Sequence, residues 1–281
     1  MKVIIQKPDL DTCLAALILG VSERDDIAVV MRQAPETDLN GPDVYCIETG
    51  GSGQVHLNNF DHHDRLRRED PPACRQAYEA RKLSDAKLYR LVEYVCMVDV
   101  PVQKHPPIPF PSLSNIFSGM LFLEGSPLKQ FLAGLEILKK VLARGIDPFE
   151  TMPDLREWRS YRKEKEENNK RYGAALQNAV IFHAQSGKKI GFGESTVIGD
   201  FQDLRDRGCD VVILYNPEFG EQKIRRFTIS GNNCAVECLI PFIDRIETGW
   251  GGNNETILCS PRDRSSNLSK DVIIELVKEY L

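Results

Sequence analysis

Seven side chains able to hold a cation or move a proton stand where short apolar runs give way to loops. Asp9 and Asp11 come soon after Val-Ile-Ile-Gln, and Glu48 follows Val-Tyr-Cys-Ile. Asp61, His62 and His63 stand together after Asn-Asn-Phe, and Asp99 closes Tyr-Val-Cys-Met-Val. In an open parallel sheet, ligands gather at the carboxyl ends of the strands, so these groups can converge on one crevice. Carboxylates with a few imidazoles suit Mn2+, Mg2+ or a similar divalent ion better than copper or structural zinc. Two such ions ~3.5–4 Å apart can activate water and hold both oxygens of a phosphoryl displacement. Each piece alone has an ordinary reading: Asp-x-Asp before a helix is a cap, and a loop histidine or a glutamate after a strand faces solvent. The adjacent Asp-His-His, in this order after the other acids, is the specific part.

The elements that must position these groups are those of an α/β chain, in which short apolar runs alternate with amphipathic segments. Strands are expected at 3–6, 27–31 and 44–47. The stretch 12–19 is apolar with no Gly or Pro and reads as a buried helix capped by Asp11 or Thr12. Gly50, Gly51 and Gly53 mark a turn, and 59–64 a polar loop. Leu88, Leu91, Val92 and Val95 recur at helical spacing, predicting a helix over 84–98 that ends at Asp99. Residues 101–111 hold five of the 16 prolines, which makes them a loop. Residues 110–119 are a candidate cleft loop. Ser126-Pro127 opens a helix to about Ala143, and the charged run 156–171 reads as a solvated helix. Strand-like runs return at 189–192, 211–215, 226–230 and 256–259. The expected organisation is a parallel-sheet metal-binding domain over 1–150, a helical linker over 151–185 and a smaller α/β substrate-binding domain over 186–281.

Composition narrows the function. With 42% hydrophobic and 27% charged residues in 281, the chain is neither disordered nor fibrous. Its 36 basic and 41 acidic residues give a net charge of −5, which argues against a broadly cationic nucleic-acid or membrane binder and leaves a local basic cleft open. No apolar run approaches the ~20 residues of a membrane span. The opening Met-Lys-Val-Ile-Ile lacks the apolar core of a signal peptide and reads as a first strand. A soluble, cytoplasmic protein is expected. None of the eight cysteines forms a Cys-x-x-Cys pair, and several lie in apolar surroundings, so they read as small hydrophobes.

Asp61-His62-His63 resembles the signature of the DHH phosphoesterase superfamily, which includes RecJ-type exonucleases, nano-RNases, exopolyphosphatases and family II pyrophosphatases. Pro8-Asp9-Leu10-Asp11 before an apolar helix resembles its first motif. Glu48 stands where the acid of the second motif would be, and Asp99 resembles the fourth. Near the end of the chain, Gly249-Trp250-Gly251-Gly252-Asn253-Asn254 resembles the Gly-Gly-His motif of the DHHA1 substrate domain. The resemblance spans nearly the whole chain. It implies a metal-dependent phosphoesterase that hydrolyses a phosphoester or phosphoanhydride of a small phosphorylated substrate, a nucleotide or a short oligonucleotide. The cofactor would be Mn2+ or Mg2+, one or two ions, and a homodimer stays open.

Carried onto this chain, the resemblance implies two metal positions. One would use a first-motif histidine, Asp9 and Glu48; the other would use Asp11, Glu48, His62 and Asp99. His63 would meet the substrate phosphate, Asp61 would orient its neighbours, and water activated by the ions would attack. Arg226, Gly251, Gly252, Asn253 and Asn254 would grip the substrate, with Arg225, Arg262 and Arg264 close by in sequence. The chain also departs from the pattern. Ile5 stands where the first-motif histidine belongs, Glu48 replaces an aspartate, and Asn253 replaces the last histidine. The two metal positions are therefore expected to be unequal, the first being the weaker, with His56 or Lys7 the candidates to compensate. The alternative is a catalytically impaired DHH-like protein that binds a metal and a nucleotide or phosphate.

Overall fold

Lys-Val-Ile-Ile forms the first strand, β1 (Lys2–Ile5), and its Val3, Ile4 and Ile5 are all buried. Burial of successive residues is what a central strand covered on both faces requires. The computed structural model describes every residue except 32, 64–69, 100–107, 221, 253–254 and 262. After β1 come α1 (Leu10–Leu19), β2 (Asp26–Val29), the short α2 (Glu36–Leu39), β3 (Val44–Ile47) and β4 (Asn59–Phe60). The four strands are parallel in the order β2-β1-β3-β4. The chain thus steps from β1 to one side and then returns to the other, so the strand order reverses between β1 and β3. The crevice outside the carboxyl ends of those two strands is the binding position of such a sheet.

Helices α3 (Ala73–Ala80), α4 (Ala86–Asp99), α5 (Leu113–Leu123) and α6 (Pro127–Arg144) complete the first unit, Met1–Lys165. Ile5, Cys13, Leu14, Ile47, Phe60, Leu91, Val95, Phe117, Phe131 and Leu135 share one core. Ile4, Val44, Cys46, Ala34 and Leu39 pack on the other face of the sheet. Ser126 caps α6 with Pro127 at its first position, as the Ser-Pro pair predicts. Two expectations are corrected. Helix α1 begins at Leu10 with Asp9 as its cap, not Asp11 or Thr12. Most of 110–119 is not a cleft loop but the start of α5, opened by a capping box between Ser112 and Asn115 and burying Leu113, Ile116, Phe117 and Met120.

The second unit is Glu166–Leu281. The charged run begins in a 3-10 turn, Arg156–Trp158, and continues in α7 (Arg159–Leu176), which crosses the boundary between the units. Then follow β5 (Val180–His183), β6 (Lys189–Glu194), α8 (Gln202–Asp206), β7 (Val211–Phe219), β8 (Ile224–Gly231), α9 (Ile240–Ile243), β9 (Ile257–Cys259) and α10 (Lys270–Tyr280). The sheet order is β5-β6-β7-β8-β9, with β6 and β7 parallel and the other pairs antiparallel. Ile190, Val211, Ile213, Phe227, Ile229, Leu258, Ile273 and Val277 form its core. Among the described residues, no helix is long and apolar enough to cross a membrane.

Candidate active site

Asp9 and Asp11 part company at the start of α1. Asp9 Oδ1 accepts from the Thr12 N–H at 3.1 Å and caps the helix. Asp11, inside the first turn, is buried and reaches another helix: its Oδ2 accepts from Ala73 N–H at 2.7 Å and its Oδ1 from Cys74 N–H at 2.8 Å. Helix α3 follows Pro72, which offers no capping side chain, so Asp11 satisfies two amides that would otherwise lack partners. The positive end of α3 meets its negative charge.

Glu48 follows β3 with φ at 54°, a left-handed conformation costly for a side-chain-bearing residue, roughly 1–3 kcal/mol. Its N–H donates to Phe60 O at 2.8 Å, and its Oε2 accepts from the Thr12 hydroxyl at 2.7 Å. The backbone is thus held where the carboxylate points back towards α1. Oε1 is buried and makes no hydrogen bond; neither does Nε2 of His62. These two orphaned atoms are 3.3 Å apart, and the same Nε2 lies 3.2 Å from Asp99 Oδ2 and 3.9 Å from Asp11 Oδ2. Asp99 is exposed at the last residue of α4.

Asp61 and His63 form a second, linked arrangement. His63 Nδ1 lies 3.0 Å from Asp61 Oδ1, so its N–H donates there and leaves the exposed Nε2 side turned outward. Asp61 is buried; its Oδ2 accepts from the Ser52 hydroxyl at 2.5 Å, and its backbone O accepts from Gln76 Nε2 at 2.9 Å. Thr12, Ser52, Gln76 and the two α3 amides were not legible as site residues. Thr12 carried a signal, a hydroxyl directly after Asp11, whereas the others reach the site only through the fold.

Among the described residues, two groups of donor atoms are close enough to share a cation: Asp11, His62 and Asp99, and Glu48, His62 and His63, with His62 common to both. Donors bound side by side to one octahedral ion stand about 3 Å apart, close to the separations of His62 Nε2 from Glu48 and Asp99. Burial alone would lower the His62 imidazole, but the facing Asp99 and Glu48 carboxylates outweigh it and push it up to about 10. Burial alone would raise Glu48, yet His62, His63 and the Thr12 hydroxyl hold it down to about 2. Burial, together with the charges of Glu48 and Asp99, pushes Asp9 and Asp11 well above the ordinary carboxylate range, a strain that a cation would relieve. Asp9 belongs to neither donor group. Ile5 is fully buried between Val29 and Ile47 and offers no donor atom. His56 is exposed on a single 3-10 turn, Val55–Leu57, and belongs to neither group.

A cleft of about 900 Å³ opens beside Glu48, Asp61 and His63. Its other walls carry the carboxamides of Gln6, Gln33, Asn40 and Gln54 and the turn Gly50-Gly51. Gly51, at φ 76°, lies so close to Asn59 that a Cβ there would meet that side chain at 2.7–2.9 Å. A smaller cavity, about 220 Å³, is lined by Asp9, Asp11, Asp99, Ser114 and Ser118.

In the second unit Arg226 is half-buried on β8, its guanidinium 4.4 Å from the centre of the Phe219 ring. Gly251 bridges Cys259: its N–H donates to Cys259 O at 3.0 Å and its O accepts from Cys259 N–H at 2.7 Å. That amide is committed to the strand rather than turned towards an anion. Gly252 is half-buried next to it. Arg264 donates to Thr248 O at 2.6 Å, and Arg225 is exposed. Asn253, Asn254 and Arg262 lie outside the described residues.

The topology has counterparts among solved structures. A pGpG-specific phosphodiesterase, PggH, from Vibrio cholerae superposes with a TM-score of 0.62 at 11% identity, covering 98% of this chain and 96% of that one. A DHH domain described as a member of a family of ribosomal proteins superposes with a TM-score of 0.55 at 10% identity, covering 98% of this chain and 85% of that one. The chain has the fold of a DHH-domain protein. No protein-family model matches its sequence, and no curated protein does. At such identities the likeness speaks for the DHH fold alone.

Proposed function

We propose that this protein is a metal-dependent phosphoesterase that hydrolyses a phosphoester or phosphoanhydride of a small phosphorylated substrate, a nucleotide or a short oligonucleotide. One observation carries the reading: His62 Nε2 is aimed at the carboxylates of Asp11, Glu48 and Asp99 and hydrogen-bonds to none of them. That donor set suits Mn2+ or Mg2+. Such an ion would supply charge stabilisation and a lowered pKa for attacking water. Asp11, Glu48, His62 and Asp99 would hold it. Asp61 fixes His63 so that the outer nitrogen of the ring faces a substrate phosphate oxygen, to which the protonated ring would donate. The cleft beside them has the volume of a small-molecule site, and its carboxamide walls suit the edges of a nucleobase or sugar. The fold neighbour that cleaves pGpG supports a nucleotidyl substrate. In the second unit, Arg226 and Gly252 are the proposed substrate grip, on the DHHA1-like resemblance; the Gly251 amide, bonded to Cys259, is not part of it.

The burial of Ile5 supports one weaker metal position, and with it the alternative of a protein that binds a metal and a nucleotide without turnover. One experiment separates the two readings. Chelator-stripped protein is given Mn2+ and a guanylate dinucleotide, and mononucleotide product is followed by chromatography. Product that disappears in His62→Ala supports the enzyme. Mn2+-dependent binding of the dinucleotide with no product on long incubation favours the alternative.

A further inference from the structure

Two thiols just outside the cation cluster face each other. Cys74 in the first turn of α3 and Cys96 near the end of α4 bring their Sγ atoms to 4.0 Å. Cys74 is fully buried and Cys96 half-buried, so solvent reaches the pair through Cys96. Arg75, ion-paired with Glu93, also lies against Cys96. A guanidinium beside a thiol favours the thiolate, the form that attacks peroxides. Accessible thiolate in front, buried thiol behind, is the arrangement in which a first oxidation product is resolved to a disulfide. The position also matters, because the Cys74 N–H is one of the two amides that hold Asp11.

We propose that Cys74 and Cys96 form a disulfide on exposure to a peroxide, and that this bond weakens the cation site through Asp11. The Cys96 thiolate attacks one peroxide oxygen, the O–O bond breaks, and after proton transfer water leaves and Cys96 is a sulfenic acid. The Cys74 sulfur then attacks the Cys96 sulfur, the S–O bond breaks, and the Cys74 thiol proton departs with the hydroxyl as a second water. Two thiols are oxidised by two electrons, and one hydrogen peroxide is reduced to two waters. Closing the bond brings the sulfurs from 4.0 Å to about 2.05 Å. That displacement of roughly 2 Å falls partly on the first turn of α3, whose Ala73 and Cys74 amides sit 2.7 and 2.8 Å from Asp11. Losing the groups that orient a metal ligand costs about 10–100-fold in affinity. Linkage makes the effect reciprocal: bound metal favours the dithiol by the same factor.

The coupling rests on the metal reading above; the disulfide does not. Wild-type protein and Cys96→Ser are treated with hydrogen peroxide, and linked peptides are mapped by mass spectrometry without reduction. Mn2+ affinity is measured by calorimetry before oxidation, after it, and after dithiothreitol. Expected are a Cys74–Cys96 linked peptide in the wild type and a fall of at least tenfold in Mn2+ affinity, restored by dithiothreitol and absent from Cys96→Ser. Peroxide that leaves Cys96 over-oxidised with no linked peptide overturns the disulfide. A linked peptide with unchanged Mn2+ affinity overturns the coupling. Reduced protein that binds no Mn2+ overturns the metal reading and the coupling together, while the mapping still decides the disulfide.

Discussion

Binding a divalent cation here must expel a proton, because His62 cannot hold both. The facing carboxylates of Asp99 and Glu48 push its imidazole up to about 10, so the ring is protonated at neutral pH. A metal needs the bare nitrogen. Between pH 7 and about 10 there are three pK units, so stripping the proton at pH 7 costs about 4 kcal/mol, which lowers the apparent metal affinity roughly a thousandfold. Affinity should therefore rise about tenfold per pH unit for each proton displaced. The assay is Mn2+ calorimetry at pH 7.5 in buffers of different ionisation enthalpy, where the slope of observed heat against buffer enthalpy counts protons. A slope of at least about one, falling by about one in His62→Gln, is expected. A slope near zero, with affinity flat from pH 6.5 to 8, would refute the reasoning and remove His62 from the ligand set.

Three further outcomes follow from the same contacts. In the metal-free protein the raised imidazole adds stability that is full below its ordinary value of 6.5 and lost as pH rises through about 10. Wild type should thus exceed His62→Gln by roughly 3–5 kcal/mol in urea unfolding near pH 6, and the two should converge by about pH 10. Asp11→Asn keeps one acceptor where Ala73 and Cys74 need two, leaving a buried amide unpaired. It should lose about 1–3 kcal/mol by the same measurement, along with most Mn2+ binding by calorimetry. Gly51→Ala places a Cβ against Asn59 at a backbone angle of φ 76° and should lower the urea midpoint by an equivalent of about 1–3 kcal/mol. An unchanged midpoint would show that the turn beside the cleft can shift.

Much of the site was legible because its parts are local. Strand-forming runs end at chemistry-bearing residues, and a parallel sheet sends all its carboxyl ends to one side. Asp9, Asp11, Glu48, Asp61, His62, His63 and Asp99 could therefore be named from order alone. The strand 44–47 and the Ser126-Pro127 helix start were equally readable, since propensity and capping act within a few residues. Helix α5 was missed although Leu113, Ile116, Phe117 and Met120 repeat at helical spacing, because the neighbouring prolines favour a loop.

What order could not decide is how the carboxylates divide their work. Asp9 and Asp11 look equivalent in the motif, yet Asp9 closes its own helix while Asp11 caps α3 from 62 residues away. The left-handed backbone of Glu48 and the hydroxyl of Thr12 together aim that carboxylate at His62, and neither can be read from a spacing. The facing of Cys74 and Cys96 likewise arises only when α3 packs on α4. Residue types and strand-end positions follow from short-range chemistry that the chain carries in its order. Which acceptor meets which amide, and which carboxylates close on one imidazole, depends on contacts between distant segments, and only the tertiary structure makes those.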